Sequence, residues 1–233
     1  MLILKVEGLT KKFGRCLANN NICLQMNQGD IYGLVGKNGA GKTTLMRQIA
    51  GYMKSTSGSI EWFEIEGCIP KLGVAIETDC FNRSLNAVSL LKLYGNSIEQ
   101  IDSQEIDNIL KQVGLYQDRF KKIGKYSTGM KQKLSIALAL ICSPDFLILD
   151  EPMNGLDPAS VKEIRELLIS INQEKKVTMM ISSHILSELT KIVTVYGVIA
   201  NGCLIKQLSS DELNEMDEEQ RELYFLHLME GET

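Results

Sequence analysis

Gly36-Lys37-Asn38-Gly39-Ala40-Gly41-Lys42-Thr43 fits the pattern G-x-x-x-x-G-K-[ST] of a phosphate-binding loop. Glycines let successive backbone N–H groups turn inward around phosphate oxygens. Lys42 adds a point charge for β and γ phosphates, and the Thr43 hydroxyl can bind Mg²⁺. The flanks suit this reading. Ile31 to Val35 is a continuous apolar run, as expected of a strand buried on both faces, and it leads into the loop. Lys42 to Tyr52 reads as a helix leaving it, with its positive dipole end aimed at the same anion.

A second element lies further along. Phe146-Leu147-Ile148-Leu149 is an apolar strand ending in two carboxylates, Asp150 and Glu151. At the end of a parallel strand, Asp150 is placed to hold Mg²⁺ and Glu151 to polarise an attacking water.

Around these two strands the chain alternates between strand and helix. Leu2 to Leu9 and Ile22 to Met26 read as strands separated by a break at Asn19-Asn20-Asn21. Ser55 to Gly58 reads as a loop, and Gly73 to Ile76 as a short buried strand. From Asn86 to Val113 the apolar spacing becomes helical, with Asp102 and Ser103 as N-cap candidates and Gly114 as a stop. Ser127 begins another helix running to about Cys142. The last third reads as a helix over Ala159 to Gln173, a strand over Val177 to Ser182 and a short helix at Ile185 to Leu189. A hairpin then turns at Asn201-Gly202, and acidic amphipathic helices close the chain. The expected fold class is α/β. The expected single domain has an α/β core at 1–77 and 145–208, which carries the phosphate loop, an inserted helical subdomain at 78–144 and an acidic end at 209–233.

Composition narrows the function. The 233 residues are 44% hydrophobic with a formal net charge of −4, which excludes a disordered or fibrous chain. It also argues against nucleic acid as a partner, since such binders carry a basic excess. Residues 211–233 hold nine acidic residues against Arg221 alone, the pattern of a solvated acidic helix. No apolar run approaches the roughly 18 residues needed to span a bilayer, and no signal peptide is visible. The six cysteines include no CxxC pair and fit reduced thiols in the cytoplasm. With two histidines, a zinc site is not expected.

Together these motifs resemble the ATP-binding cassette (ABC) ATPases, the motor subunits of ABC transporters, over about Met1 to Ile205. The deciding addition is Tyr126-Ser127-Thr128-Gly129-Met130-Lys131-Gln132, which resembles the family signature LSGGQ and sits ahead of the Asp150-Glu151 strand. The resemblance implies a phosphate-loop NTPase with a RecA-like core, an N-terminal antiparallel β region and an inserted helical subdomain. It implies ATP and Mg²⁺ as ligands. It also implies a head-to-tail dimer, homomeric or heteromeric, in which Ser127, Gly129 and Met130 touch the ATP held by the other subunit. Phe13 matches the aromatic residue that stacks on adenine, and Thr44 a contact to the α-phosphate. His184, in Ser182-Ser183-His184, matches the switch histidine near the γ-phosphate, and Asn154-Gly155-Leu156-Asp157 the loop that crosses the dimer interface. The implied partner is an integral membrane permease on a separate chain. It would hold this chain peripherally on the cytoplasmic face of the membrane, docking near Glu77 to Leu93.

Three residues depart from the family pattern. Glu77 stands where a Mg²⁺-binding glutamine is usual, and Thr128 and Met130 replace a glycine and the final glutamine of the signature. Gly73-Val74-Ala75-Ile76-Glu77 and Ser127-Thr128-Gly129-Met130-Lys131-Gln132 are similar to the bacitracin- and lantibiotic-resistance ATPases of bacteria. That similarity implies export of, or immunity to, an antimicrobial peptide. The alternative within the family is a soluble ATPase of an assembly complex, as in iron–sulfur assembly. On the same loop a GTPase is disfavoured because no guanine-reading Asn-Lys-x-Asp is present, and a nucleotide kinase because it would not need Ser127–Gly129 or His184.

Overall fold

A computed structural model of the chain describes residues 1–76, 81–98 and 101–230. The strands are β1 (Leu2–Phe13), β2 (Cys16–Asn27), β3 (Ile31–Val35), β4 (Ser57–Trp62), β5 (Leu72–Ala75), β6 (Phe146–Leu149), β7 (Thr178–Ser183), β8 (Val195–Ala200) and β9 (Cys203–Ser209). The helices are α1 (Lys42–Ile49), α2 (Ala87–Ile98), α3 (Ser103–Gln112), α4 (Thr128–Leu140), α5 (Pro158–Lys175), α6 (Leu186–Leu189) and α7 (Glu218–Glu230).

Two sheets form. Strands β2-β1-β4 make an antiparallel sheet, and β5-β6-β7-β3-β8-β9 make a larger one, parallel except for β9. The continuous apolar runs are explained by the layers on either side of the larger sheet. In β3, Tyr32 and Leu34 face the antiparallel sheet and α1, while Ile31 and Val35 face the helices opposite. In β6, Phe146 and Ile148 take the first side, Leu147 and Leu149 the second. The two sheets meet where Trp62 packs edge-on against Phe146, with ring centroids 5.0 Å apart.

Local chemistry sets several boundaries. Asp102 caps α3 in a reciprocal box with Glu105, and Ser127 caps α4 by accepting the Met130 N–H. Asn201 and Gly202, both left-handed, turn the β8–β9 hairpin as their residue types predict.

Other boundaries differ from expectation. Asn19-Asn20-Asn21 is not a break: β2 runs through it as a bulge, with Asn21 left-handed and the register against β1 shifting nearby. Strand β4 begins inside the expected loop. Its residues, Ser-Gly-Ser-Ile-Glu-Trp, lie on an outer strand, half-buried at best, and carry no clean alternation. Helix α1 ends at Ile49 rather than Tyr52, because the left-handed Gly51 stops it.

The acidic end is more than a solvated appendage. Phe225 is 1% exposed and packs on Tyr196 of β8 at 5.3 Å between centroids. Glu230 reaches Lys37 of the phosphate loop at 3.2 Å. Truncating a buried Phe typically removes about 3–5 kcal/mol. Phe225→Ala is therefore expected to lower unfolding stability by about that amount in urea denaturation; a loss under about 1 kcal/mol would mean the α7–β8 contact is dispensable. Among the described residues, no helix is long and apolar enough to cross a membrane.

Candidate functional site

The phosphate loop lies between β3 and α1, and two chain segments brace it, the Asn201-Gly202 turn and the Asn19-Asn20 stretch of β2. The Gly202 N–H donates to the Ala40 carbonyl (3.0 Å), and the Asn20 N–H donates to the Gly202 carbonyl (2.8 Å). The side-chain amide of Asn19, fully buried, donates to the Gly41 carbonyl (3.1 Å). Two glycines are sterically required. A Cβ on Gly36 would stand 2.4 Å from the Ile199 carbonyl oxygen. Gly41, at φ 108°, would meet the Ala18 carbonyl oxygen at the same distance.

The loop opens onto a cleft of about 510 Å³. Its walls are Asn38, Gly39, Gly41, Lys42, Thr43 and Thr44, with Cys16 to Ala18 of β2, Glu151, Asn154 and the Asn201-Gly202 turn. Gly36 and Ala40 lie behind this surface and shape the loop.

The charged groups converge from three elements. Lys42 is 5% exposed, and its ammonium donates to the carbonyls of Gly36 (2.7 Å) and Lys37 (3.3 Å). The same ammonium lies 3.4 Å from Glu151 Oε1. Thr43 Oγ1 donates to Asp150 Oδ2 at 2.7 Å. His184 Nδ1 is 2.7 Å from Glu151 Oε2, a bond in which the imidazole donates to the carboxylate. Glu151 thus spans Lys42 and His184, at the end of β6 where β7 also terminates. Nearby on α6, burial raises the pKa of the Glu188 carboxyl; His184 opposes the rise and Glu151 adds to it.

The peptide of Glu151 is itself held by side chains. Glu151 is left-handed at φ 50°, outside the usual range for a non-glycine residue. Its N–H donates to Ser182 Oγ (2.9 Å), and that hydroxyl donates to Asp150 Oδ1 (2.5 Å). Its carbonyl accepts from Gln132 Nε2 (3.3 Å) on α4 and from the Asn154 N–H (3.1 Å).

The remaining predicted residues stand apart from this cleft. Phe13 ends β1 at the tip of the hairpin to β2; it is 49% exposed with the Lys11 ammonium over its ring, and it does not line the cleft. Ser127, Gly129 and Met130 begin α4 away from the cleft, Ser127 exposed and Gly129 buried against Ser160. The Tyr126 hydroxyl donates to the Asp118 carbonyl (2.9 Å), and burial pushes its pKa up to about 12. Glu77 falls outside the described residues. Among the described residues no cluster of three or more His, Cys, Asp or Glu forms a metal site. The hydroxyl and carboxylate oxygens of Thr43 and Asp150 nevertheless fit a hard cation such as Mg²⁺, which keeps most of its ligands as water and phosphate oxygen.

The sequence pattern that defines the ABC transporter family matches residues 19–154. The chain belongs to the ABC transporter family. It is 41% identical over 217 residues to the bacitracin transport ATP-binding protein BcrA of Bacillus licheniformis, covering 91% of this chain and 71% of that one. It is 37% identical over 221 residues to the lantibiotic transport ATP-binding protein SrtF of Streptococcus pyogenes, covering 93% and 95%. Among solved structures it resembles cbiO1 of Clostridium perfringens, with a TM-score of 0.81 at 28% identity, covering 98% of this chain and 99% of that one. The α/β cassette expected from the motifs is the fold observed, and the chain is an ATP-binding, ATP-hydrolysing ABC subunit.

Some structural features of this ABC ATPase site left no trace in its motifs. Asn19 braces the phosphate loop from a stretch that reads as a turn. Ser182 and Gln132 were visible only as neighbours of His184 and the signature; their bonds to Glu151 depend on how β7 and α4 fall beside β6.

Proposed function

We propose that this chain is the motor subunit of a transporter that exports, or confers immunity to, an antimicrobial peptide of the bacitracin or lantibiotic type. The names of its relatives BcrA and SrtF support the cargo class. The observation that carries the hydrolytic part is the convergence of Lys42, Glu151 and His184 at one end of the parallel sheet.

In this reading the loop from Gly36 to Thr43 wraps the β and γ phosphates, with Asn38, Gly39, Ala40 and Gly41 supplying backbone N–H groups and Lys42 the charge. Thr44 meets the α-phosphate and Phe13 stacks on adenine. Thr43 and Asp150, with Glu77, would hold Mg²⁺, which when bound offsets the charge of the phosphates. Glu151 accepts a proton from the attacking water as its oxygen bonds to the γ-phosphorus. The bond to the bridging oxygen breaks, releasing ADP and inorganic phosphate. His184 contacts the γ-phosphate and holds the Glu151 carboxylate.

Two such subunits, identical or related, would pair head to tail, each offering Ser127, Gly129 and Met130 to the ATP of the other. The position of these residues away from their own cleft supports that arrangement. The helical subdomain, 78–144, would dock on a membrane permease at the cytoplasmic face. The exposed Leu93, Tyr94 and Ile98 on α2 support an apolar partner there. Purification of the tagged chain from detergent-solubilised source membranes is expected to bring down a multi-span membrane protein in stoichiometric yield. Recovery of soluble scaffold proteins alone would sink the transporter assignment.

A further inference from the structure

Glu151 combines a strained backbone with a dense set of anchors, and the anchors come from two elements distant in sequence. A left-handed non-glycine conformation persists only where the surroundings over-determine it. Here β7 supplies one hold and α4 the other. Ser182, fully buried, uses both capacities of its hydroxyl: it accepts the Glu151 N–H and donates to the Asp150 carboxylate. Gln132, 8% exposed, donates its amide N–H to the Glu151 carbonyl. Gln132 lies five residues after Ser127, on the helix that Ser127 caps.

We propose that Ser182 and Gln132 are positioning residues that jointly fix the Glu151 peptide, and so aim its carboxylate at the attacking water. The inference rests on the reading of Glu151 as general base. Neither side chain lines the nucleotide cleft, so neither contributes directly to holding ATP. Each bond restrains a different end of one residue. With Gln132 gone the carbonyl keeps only the Asn154 N–H from its own loop, and with Ser182 gone the N–H loses its partner; either loss loosens the peptide toward an ordinary conformation and swings the carboxylate off line. Losing the second adds little once the first has gone. The Gln132 bond also makes the aim of Glu151 sensitive to the seating of α4. The helix bearing the Ser127–Gly129 segment thereby has a direct line to the hydrolytic group of its own subunit.

The test is a double-mutant cycle on the full purified chain, with Gln132→Met and Ser182→Ala alone and combined, and Glu151→Gln as reference. ATP turnover, equilibrium ATP affinity and thermal midpoint are measured for each. Small misplacements at a reacting centre cost up to about 100-fold, so each single variant is expected to lose about 10- to 100-fold in kcat. ATP affinity should stay within about two-fold. The double variant should fall no further than the weaker single, because coupled positions are non-additive. Gln132→Met with kcat within about two-fold of the parent, losses that multiply in the double variant, or ATP affinity falling in step with kcat would each overturn the proposal. If Ser182→Ala does not fold, the kcat and affinity of Gln132→Met decide alone. Parental turnover in Glu151→Gln would overturn the general-base reading itself. An inactive Glu151→Gln beside a parental Gln132→Met would overturn only the positioning role.

Discussion

Glu151→Gln is expected to hydrolyse ATP about 100- to 10,000-fold more slowly than the parent while still binding it, the range a general base usually contributes. The change keeps the shape and hydrogen-bonding reach of the side chain and removes its ability to take a proton. It also removes a negative charge 3.4 Å from the Lys42 ammonium, leaving Lys42 free to serve the triphosphate. Affinity for ATP is therefore expected to hold or to rise. With hydrolysis blocked and both signature segments available, an ATP-bound dimer should accumulate on size exclusion, absent with ADP. Phosphate release at the parental rate would remove Glu151 from its assigned role.

Lys42→Ala should produce a different failure. The buried ammonium makes two charge-assisted hydrogen bonds that pin the Gly36 and Lys37 carbonyls, and it faces Glu151 on its other side. Hydrogen bonds to charged groups contribute roughly 1.5–3 kcal/mol each. Losing them, together with the charge meant for the phosphates, should weaken ATP binding by about 100-fold or more and abolish turnover. Calorimetric titration with ATP checks this directly. The two variants separate the roles: one loses turnover with affinity intact, the other loses both. Tight ATP binding by Lys42→Ala would contradict the loop as the phosphate site.

What the sequence revealed follows from which interactions are local. The phosphate loop was readable because its chemistry is packed into eight consecutive residues, and the Phe146–Glu151 strand because burial on both faces demands a continuous apolar run. The Asn201-Gly202 turn was readable because a tight hairpin needs two left-handed residues. Strand β4 was hidden because half-burial on an outer strand imposes no pattern on Ser57–Trp62. The bulge in β2 was hidden because three consecutive asparagines signal a turn locally, and only pairing with β1 across the sheet overrides that. The same holds at the site. Lys42 and Glu151 announce themselves by motif, whereas the bonds of Asn19, Gln132 and Ser182 arise only when β2, α4 and β7 are laid against the loop and β6.

The contact between Glu230 and Lys37 has a practical corollary for handling this protein. Helix α7 brings the chain, at its last described residue, beside the phosphate loop. A bulky group attached beside Glu230 would stand next to the phosphate loop and compete for Lys37. Leu2, by contrast, begins a twelve-residue strand whose other end, Phe13, leads into the hairpin to β2, whose Cys16 to Ala18 line the cleft. A label meant to leave the nucleotide site undisturbed is therefore better placed away from the end of α7.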